Sequence, residues 1–201
     1  MIRNLALAAI AAFGVSAAAN AAIPVYPNPG TEAPTVASYT APTAGLVTAW
    51  FLARSASFDS EIGFGINGAA PVGYCLPNTS PPGTSCDLGM VSAGDQIRFY
   101  LRVITNGDVF STDPSDIFAN NGGLNHAWHT AYAGGDFGVP AGLLLGWEDT
   151  RGGGDLDYND HVFVFKFPGS PVIPEPATWA MMIAGFGLVG FAMRKRAAAT
   201  A

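Results

Sequence analysis

Leu143-Leu144-Leu145-Gly146-Trp147 and His161-Val162-Phe163-Val164-Phe165-Lys166-Phe167 are two short apolar runs. Between them stands Glu148-Asp149-Thr150-Arg151-Gly152-Gly153-Gly154-Asp155-Leu156-Asp157-Tyr158-Asn159-Asp160. Short apolar runs rich in Val and Phe, separated by Gly, Asp and Asn, have the pattern of strands joined by turns. The same pattern recurs upstream. Leu46–Leu52, Glu61–Ile66, Gln96–Ile104 and His126–Ala133 are further strand candidates. Asn67-Gly68, Pro81-Pro82-Gly83, Asn106-Gly107-Asp108 and Asn121-Gly122-Gly123 punctuate them. Helical periodicity is weak except at the two ends of the chain. The expected fold is therefore all-β, a β-sandwich of jelly-roll type over residues 44–170. Residues 23–43 hold five prolines and read as an extended arm or linker.

The segment between the two apolar runs carries five of the chain's fifteen acids within thirteen residues. Carboxylates this close repel one another unless something neutralises them. Calcium does so with six to eight oxygens at about 2.3–2.6 Å. Asp155, Asp157 and Asn159 have the 1-3-5 spacing of calcium loops, and Glu148, Asp149 and Asp160 are available to complete a shell. The three preceding glycines allow a sharp backbone turn. This is not an EF-hand: Asp160 stands where its sixth-position glycine belongs, and Lys166 where its last glutamate belongs. A plainer reading stands beside the calcium one. Asp, Asn and Gly are turn formers in their own right, and the acids can pair with Arg151 or cap hairpin ends.

The run Trp147-Glu148-Asp149 through Gly153-Gly154-Asp155-Leu156-Asp157-Tyr158-Asn159-Asp160, followed by an apolar strand, resembles the C-terminal hallmark of an aspartate-rich bacterial surface domain of unknown function. The resemblance is dense over Gly146–Phe165 and implies an exported, all-β, calcium-binding domain. It carries Glu148, Asp149, Asp155, Asp157, Asn159 and Asp160 as its motif residues and implies no activity.

Both ends of the chain have other work. Arg3, the apolar Leu5–Val15 and Ala19-Asn20-Ala21 have the layout of a cleavable signal peptide over residues 1–22. At the other end, Pro174-Glu175-Pro176 precedes Trp179, an uncharged stretch of 17 residues from Ala177 to Met193, and Arg194-Lys195-Arg196. As a helix that stretch spans about 25 Å, the short end of what crosses a bilayer core. The terminal cations should stay cytoplasmic and leave the body outside. Residues 174–196 resemble the PEP-CTERM sorting signal of Gram-negative bacteria. The resemblance implies an exosortase-type membrane transpeptidase as partner, transient anchoring in the inner membrane, cleavage near Pro174–Pro176, and a destination at the surface, in the matrix or outside the cell.

With both ends set aside, residues 23–173 hold five cations against fourteen acids, a net charge of −9. Nucleic-acid binding, which needs a basic footprint, is excluded. Cys75 and Cys86, the only cysteines, flank a Pro/Gly/Ser loop and are expected to form a disulfide in an exported protein.

No catalytic constellation stands out, and the protein is expected not to be an enzyme. Glu148 and Asp149 are adjacent, so on a strand they point apart, whereas a glycosidase pair must face across a sugar. His126 and His129 likewise fall on opposite faces. No nucleophile elbow, HExxH or phosphate loop is present. Trp128, Tyr132, Trp147 and Tyr158 lie near the acidic turn in sequence and serve either as core or as a sugar-stacking surface. The leading expectation is an exported surface- or biofilm-matrix-associated structural protein with a calcium-stabilised sandwich. The alternative is a carbohydrate-binding module for exopolysaccharide. An exported hydrolase is the weakest of the three.

Overall fold

The computed structural model describes residues 22–169 and 185–187, and the strands it contains all lie in the first of these stretches. In chain order they are β1 (Tyr39–Thr40), β2 (Gly45–Arg54), β3 (Ser60–Ile66), β4 (Tyr74–Cys75), β5 (Ser85–Val91), β6 (Gln96–Val103), β7 (Val109–Ser111), β8 (Ala127–Tyr132), β9 (Gly142–Trp147) and β10 (His161–Lys166). A single 3₁₀ turn, Asp136–Gly138, interrupts the chain between β8 and β9.

Two antiparallel five-stranded sheets result. One runs β1-β6-β3-β4, with β7 also paired to β6; the other runs β5-β2-β10-β9-β8. A jelly roll in its simple form has eight strands; here there are ten. The chain passes from one sheet to the other after β1, β2, β4, β5 and β7, and the last strand returns to sit between β2 and β9. The sheets pack face to face. Ile62, Phe64, Ile97, Phe99, Leu101 and Phe110 of the first meet Val47, Ala49, Phe51, Leu145, Phe163 and Phe165 of the second in one buried cluster. The Phe99 and Phe165 rings lie 4.0 Å apart between centroids. Burying each such side chain stabilises by roughly 1.5–3 kcal/mol.

Strand β10 explains why the apolar runs decide the fold. Phe163 and Phe165 point into the sandwich, whereas Val162 and Val164 point outward into a second cluster with Leu52, Tyr132, Val139 and Leu144. A central strand covered on both faces has a continuous apolar run, which is how His161–Phe167 is written.

All six strand candidates are strands, with ends shifted by no more than two residues. β1, β4, β5 and β7 lie outside those candidates. Three of them have only two or three residues. β5 is longer, but it is an edge strand written Ser-Cys-Asp-Leu-Gly-Met-Val, whose outward positions are polar or exposed. Its apolar signal is too thin to separate from the Pro/Gly loop before it. Cys75 on β4 and Cys86 on β5 are disulfide-bonded, so the bond ties the edge of one sheet to the edge of the other.

The stretch read as an arm or linker has no regular structure before β1, but it lies on the body. Tyr26, Ala33 and Ala41 are buried. Tyr26 and Ala33 form a third small cluster with Tyr158.

The expected signal peptide (residues 1–22, all but the last), Pro174, Glu175, Pro176, Trp179, Arg194, Lys195 and Arg196 lie outside the described residues. So does most of the expected sorting helix, of which 185–187 are helical. Among the described residues, no helix is long and apolar enough to cross a membrane.

Candidate cation site

Trp147 at the end of β9 pairs directly with His161 at the start of β10. Residues 148–160 therefore project from one end of the second sheet as a single loop. Its first half turns twice: Gly153 N–H donates to Thr150 C=O (2.9 Å), and Leu156 N–H to Gly153 C=O (3.1 Å). Gly152, Gly153 and Gly154 have φ of 84°, 82° and 59°, a left-handed run that only glycine makes without strain. The second half does something less common. Leu156 (φ 55°) and Tyr158 (φ 56°) are also left-handed, alternating with Asp155, Asp157 and Asn159. A left-handed non-glycine residue costs about 1–3 kcal/mol and persists only where the surroundings hold it.

Within this loop Glu148, Asp155 and Asp157 come together. One carboxylate oxygen from each lies within 4.8 Å of the others. Glu148 is fully buried (0 % exposed), Asp157 is half-buried and Asp155 is exposed. Glu148 Oε1 accepts the Tyr158 amide N–H at 2.6 Å. Its Oε2 has no hydrogen-bond partner among the described residues. Burial pushes the Glu148 pKa up to about 7, and the charges of Asp155 and Asp157 push the same way against the Tyr158 N–H. Two glycines make room for this. A Cβ on Gly154 would stand 2.7 Å from Glu148 Oε2, and a Cβ on Gly146 would stand 2.2 Å from the Tyr158 carbonyl oxygen.

The cation that the plain-turn reading offered is not there. Arg151 reaches away from the cluster and pairs with Asp108, its Nε donating to Oδ1 at 2.8 Å. The donor set is all carboxylate, one member buried with an oxygen unmet. That chemistry fits a hard divalent cation of the calcium type, with backbone carbonyls or water supplying the remaining oxygens.

The other three residues of the expected set are placed differently. Asn159 turns its amide to Asp157: its N–H donates to Asp157 Oδ1 (3.1 Å), and its Nδ2 donates to Oδ2. Asp149, which is buried, and Asp160, which is half-buried, form a separate group. Asp160 Oδ2 accepts the Asp149 N–H at 3.0 Å. Burial pushes the Asp160 pKa up to about 7, with the charges of Asp149 and Glu148 adding to it. Asp149 is held below the usual carboxylate range in spite of its burial, because His161 Nε2 meets its Oδ2 at 2.8 Å. The tautomer of His161 follows from its neighbour. Ser60 N–H donates to Asn78 Oδ1 (3.1 Å), so Asn78 Nδ2 donates to Phe58 C=O (2.9 Å) and to His161 Nδ1 (2.6 Å). Nδ1 is then the acceptor, and Nε2 carries the proton toward Asp149.

The remaining sequence candidates also have places. Tyr132 and Trp147 are fully buried and Tyr158 nearly so, so these rings are core and offer no stacking surface. Trp128 is half-buried against Tyr26, ring centroids 5.6 Å apart. His126 precedes β8, stacks on Phe110 at 4.0 Å between centroids, and uses Nδ1 to donate to Glu148 C=O (3.1 Å). His129 packs edge-on to Tyr39, so the two histidines make no metal pair.

Elsewhere, Phe51, Leu52, Arg54, Asn78, Ser80 and Phe137 line a cavity of about 460 Å³. Its walls are mostly apolar, and Arg54 is paired with Asp59 (3.1 Å).

Residues 91–168 match the domain of unknown function DUF4114, and residues 172–196 match the PEP-CTERM protein-sorting motif. Both resemblances read from the sequence hold. The first match extends well upstream of the acidic turn and takes in β6 to β10. The sorting motif implies export and a transient membrane anchor before the surface or the exterior is reached. None of the curated proteins matches the chain.

Proposed function

We propose that the chain is an exported surface- or matrix-associated structural protein whose β-sandwich is locked by calcium bound at Glu148, Asp155 and Asp157. The observation that carries this reading is the Glu148 carboxylate: fully buried, and among the described residues with one oxygen lacking a donor, facing two more carboxylates and no cation. A buried unpaired charge is costly. A divalent cation turns that repulsion into attraction and fixes the loop that joins β9 to β10. The protein would thus become rigid where calcium is plentiful, outside the cell, where domains bind it with a Kd of about 10⁻⁴–10⁻³ M.

Thermal unfolding of the full chain in chelator, in calcium and in magnesium tests it. At 100 times the dissociation constant, calcium should add about 2.7 kcal/mol. A midpoint unmoved by calcium at about 10–100 mM, 100 times that Kd, sinks the reading. The tail supplies the route. The PEP-CTERM motif makes an exosortase-type enzyme its partner, and the mass of the mature protein should lack the residues beyond the Pro174–Pro176 segment.

A second reading, glycan binding, rests on the cavity lined by Ser80, Asn78 and Arg54, with the exposed Phe137 at its edge. Binding to a glycan array that Phe137→Ala removes would favour it. Binding to no glycan counts against it.

A further inference from the structure

The acidic loop is gripped from outside by a segment far away in sequence. Residues Asn28–Thr31 form a turn, closed by Thr31 N–H to Asn28 C=O (3.1 Å). From that turn Gly30 N–H donates to Leu156 C=O at 3.1 Å. Three residues on, Ala33 N–H donates to the Tyr158 hydroxyl at 2.9 Å, and the hydroxyl in turn donates to Asn125 C=O at 3.0 Å. The Tyr26 ring stands edge-on to the Tyr158 ring, 4.9 Å between centroids. Leu156 and Tyr158, the two residues so held, are the loop's two left-handed non-glycine residues, and Asp157 hangs between them.

The same segment reaches the other side of the cluster. Glu32 Oε1 accepts the Asn125 N–H (2.7 Å), and Asn125 Nδ2 donates to Ala33 C=O (2.9 Å). The next residue, His126, exchanges two hydrogen bonds with Glu148. Its C=O accepts the Glu148 N–H at 2.9 Å and its Nδ1 donates to the Glu148 C=O at 3.1 Å. Glu148 on one flank and Asp157 on the other are thus positioned through one strap.

We infer that Tyr26–Ala33 is a working part of the cation site: a strap that keeps Leu156 and Tyr158 left-handed and so aims Asp155 and Asp157 at Glu148, with the Tyr158 hydroxyl as its positioning group. The inference rests on the calcium reading above. Coupling of this kind is reciprocal. The strap strengthens calcium binding, and calcium tightens the strap.

The test uses the full chain, titrated with calcium chloride by calorimetry and followed by amide hydrogen exchange with calcium and with chelator. Tyr158→Phe removes the hydroxyl bridge and should weaken calcium about three- to tenfold, the scale of a lost hydrogen bond. Glu32→Ala, which leaves the loop itself untouched, should weaken it by a smaller factor in the same direction. In the wild type, calcium should slow exchange at the Gly30 and Ala33 amides, and Asp157→Asn should abolish that slowing. A purely structural role would lower the melting point in chelator and leave calcium affinity unchanged. Full calcium affinity in both strap variants, or a calcium-bound wild type whose Gly30 and Ala33 amides exchange as fast as in chelator, overturns the strap and leaves the calcium site standing. A wild type that takes up no calcium overturns both.

Discussion

Tyr158 donates its backbone N–H to one oxygen of Glu148 and leaves the other oxygen of that carboxylate with no donor. The half-satisfied carboxylate makes the site testable, because removing its charge should act in opposite directions with and without metal. Glu148→Gln keeps an acceptor for the Tyr158 N–H and relieves the repulsion with Asp155 and Asp157. In chelator at pH 8 it should melt no lower than wild type. In millimolar calcium it should lose the stabilisation that wild type gains, and differential scanning calorimetry in both buffers reads the two effects together.

Titration offers a second handle. Glu148 rises from an ordinary 4.5 to about 7, and Asp160 from 3.8 to about 7, burial being the main cause of each. A carboxyl whose pKa is higher folded than unfolded keeps its proton longer in the folded state. Metal-free stability should therefore fall as pH rises from about 4 to about 7, and level off above that, since there both states are ionised. Calcium must displace the Glu148 proton to bind. Titrations at pH 6 in buffers of different ionisation enthalpy should show proton release, and by pH 8.5 the release should vanish. Equal heats in all buffers at pH 6 would contradict the assignment of Glu148 as a ligand.

Gly154 is tested by adding a single methyl group. Its φ is 59°, and a Cβ there would press on Glu148 Oε2 at 2.7 Å. Gly154→Ala should destabilise the loop through its backbone and remove the space a cation would use. Gly152, also left-handed, has nothing within 4 Å of its Cβ position. Gly152→Ala should bear the backbone strain alone and keep its calcium response. Equal calcium affinities in the two variants would show that the space beside Glu148 does not matter.

Asn78 connects Ser60, Phe58 and His161, and through His161 it sets the proton that faces Asp149. Asn78→Ala leaves a buried N–H, a carbonyl and an imidazole nitrogen short of partners. At about 1–3 kcal/mol for each unmet group, less what water recovers, the loss should be about 3 kcal/mol. Chemical denaturation measures it; a loss under about 1 kcal/mol would mean that water replaces the amide.

Cutting the Cys75–Cys86 bond releases a loop of sequence separation 11. The chain-entropy account puts the cost at about 3 kcal/mol. The double variant Cys75→Ser, Cys86→Ser should lose about that amount in equilibrium unfolding. Because the bond joins edges of opposite sheets and lies apart from the acidic loop, its calcium response should persist.

What the sequence made legible follows from where the signal is local. Six strands announce themselves because their apolar residues repeat along the chain, most plainly Val162–Phe165 in the doubly covered β10. Asp155 and Asp157 stand out by their spacing, with Asn159, and Glu148 is one of three further acids that the same loop offers. The division of the six candidate ligands could not be read from spacing, because it depends on Asp149 meeting His161, on Asp160 accepting the Asp149 N–H, and on His161 being oriented by Asn78, 83 residues away in sequence. The strap was invisible for the same reason. Nothing near Tyr26 or Glu32 hints at Tyr158 or Asn125, whose contacts with them span more than ninety residues. β5 was missed because an edge strand needs an apolar side chain only on one face, and its Cys, Leu and Val are diluted by Asp and Gly.

The place of β10 has a consequence for how the protein is made. The strand that fills the gap between β2 and β9 is the last to be synthesised. Until it arrives, β2 has no neighbour on that side, and the β2–β10 pairing that closes the sheet joins residues as far apart as Arg54 and His161, which makes folding slow. A polypeptide built in this order lacks the strand that closes its second sheet until the residues just ahead of the sorting motif have been made, so the same few residues that end the body also time its completion.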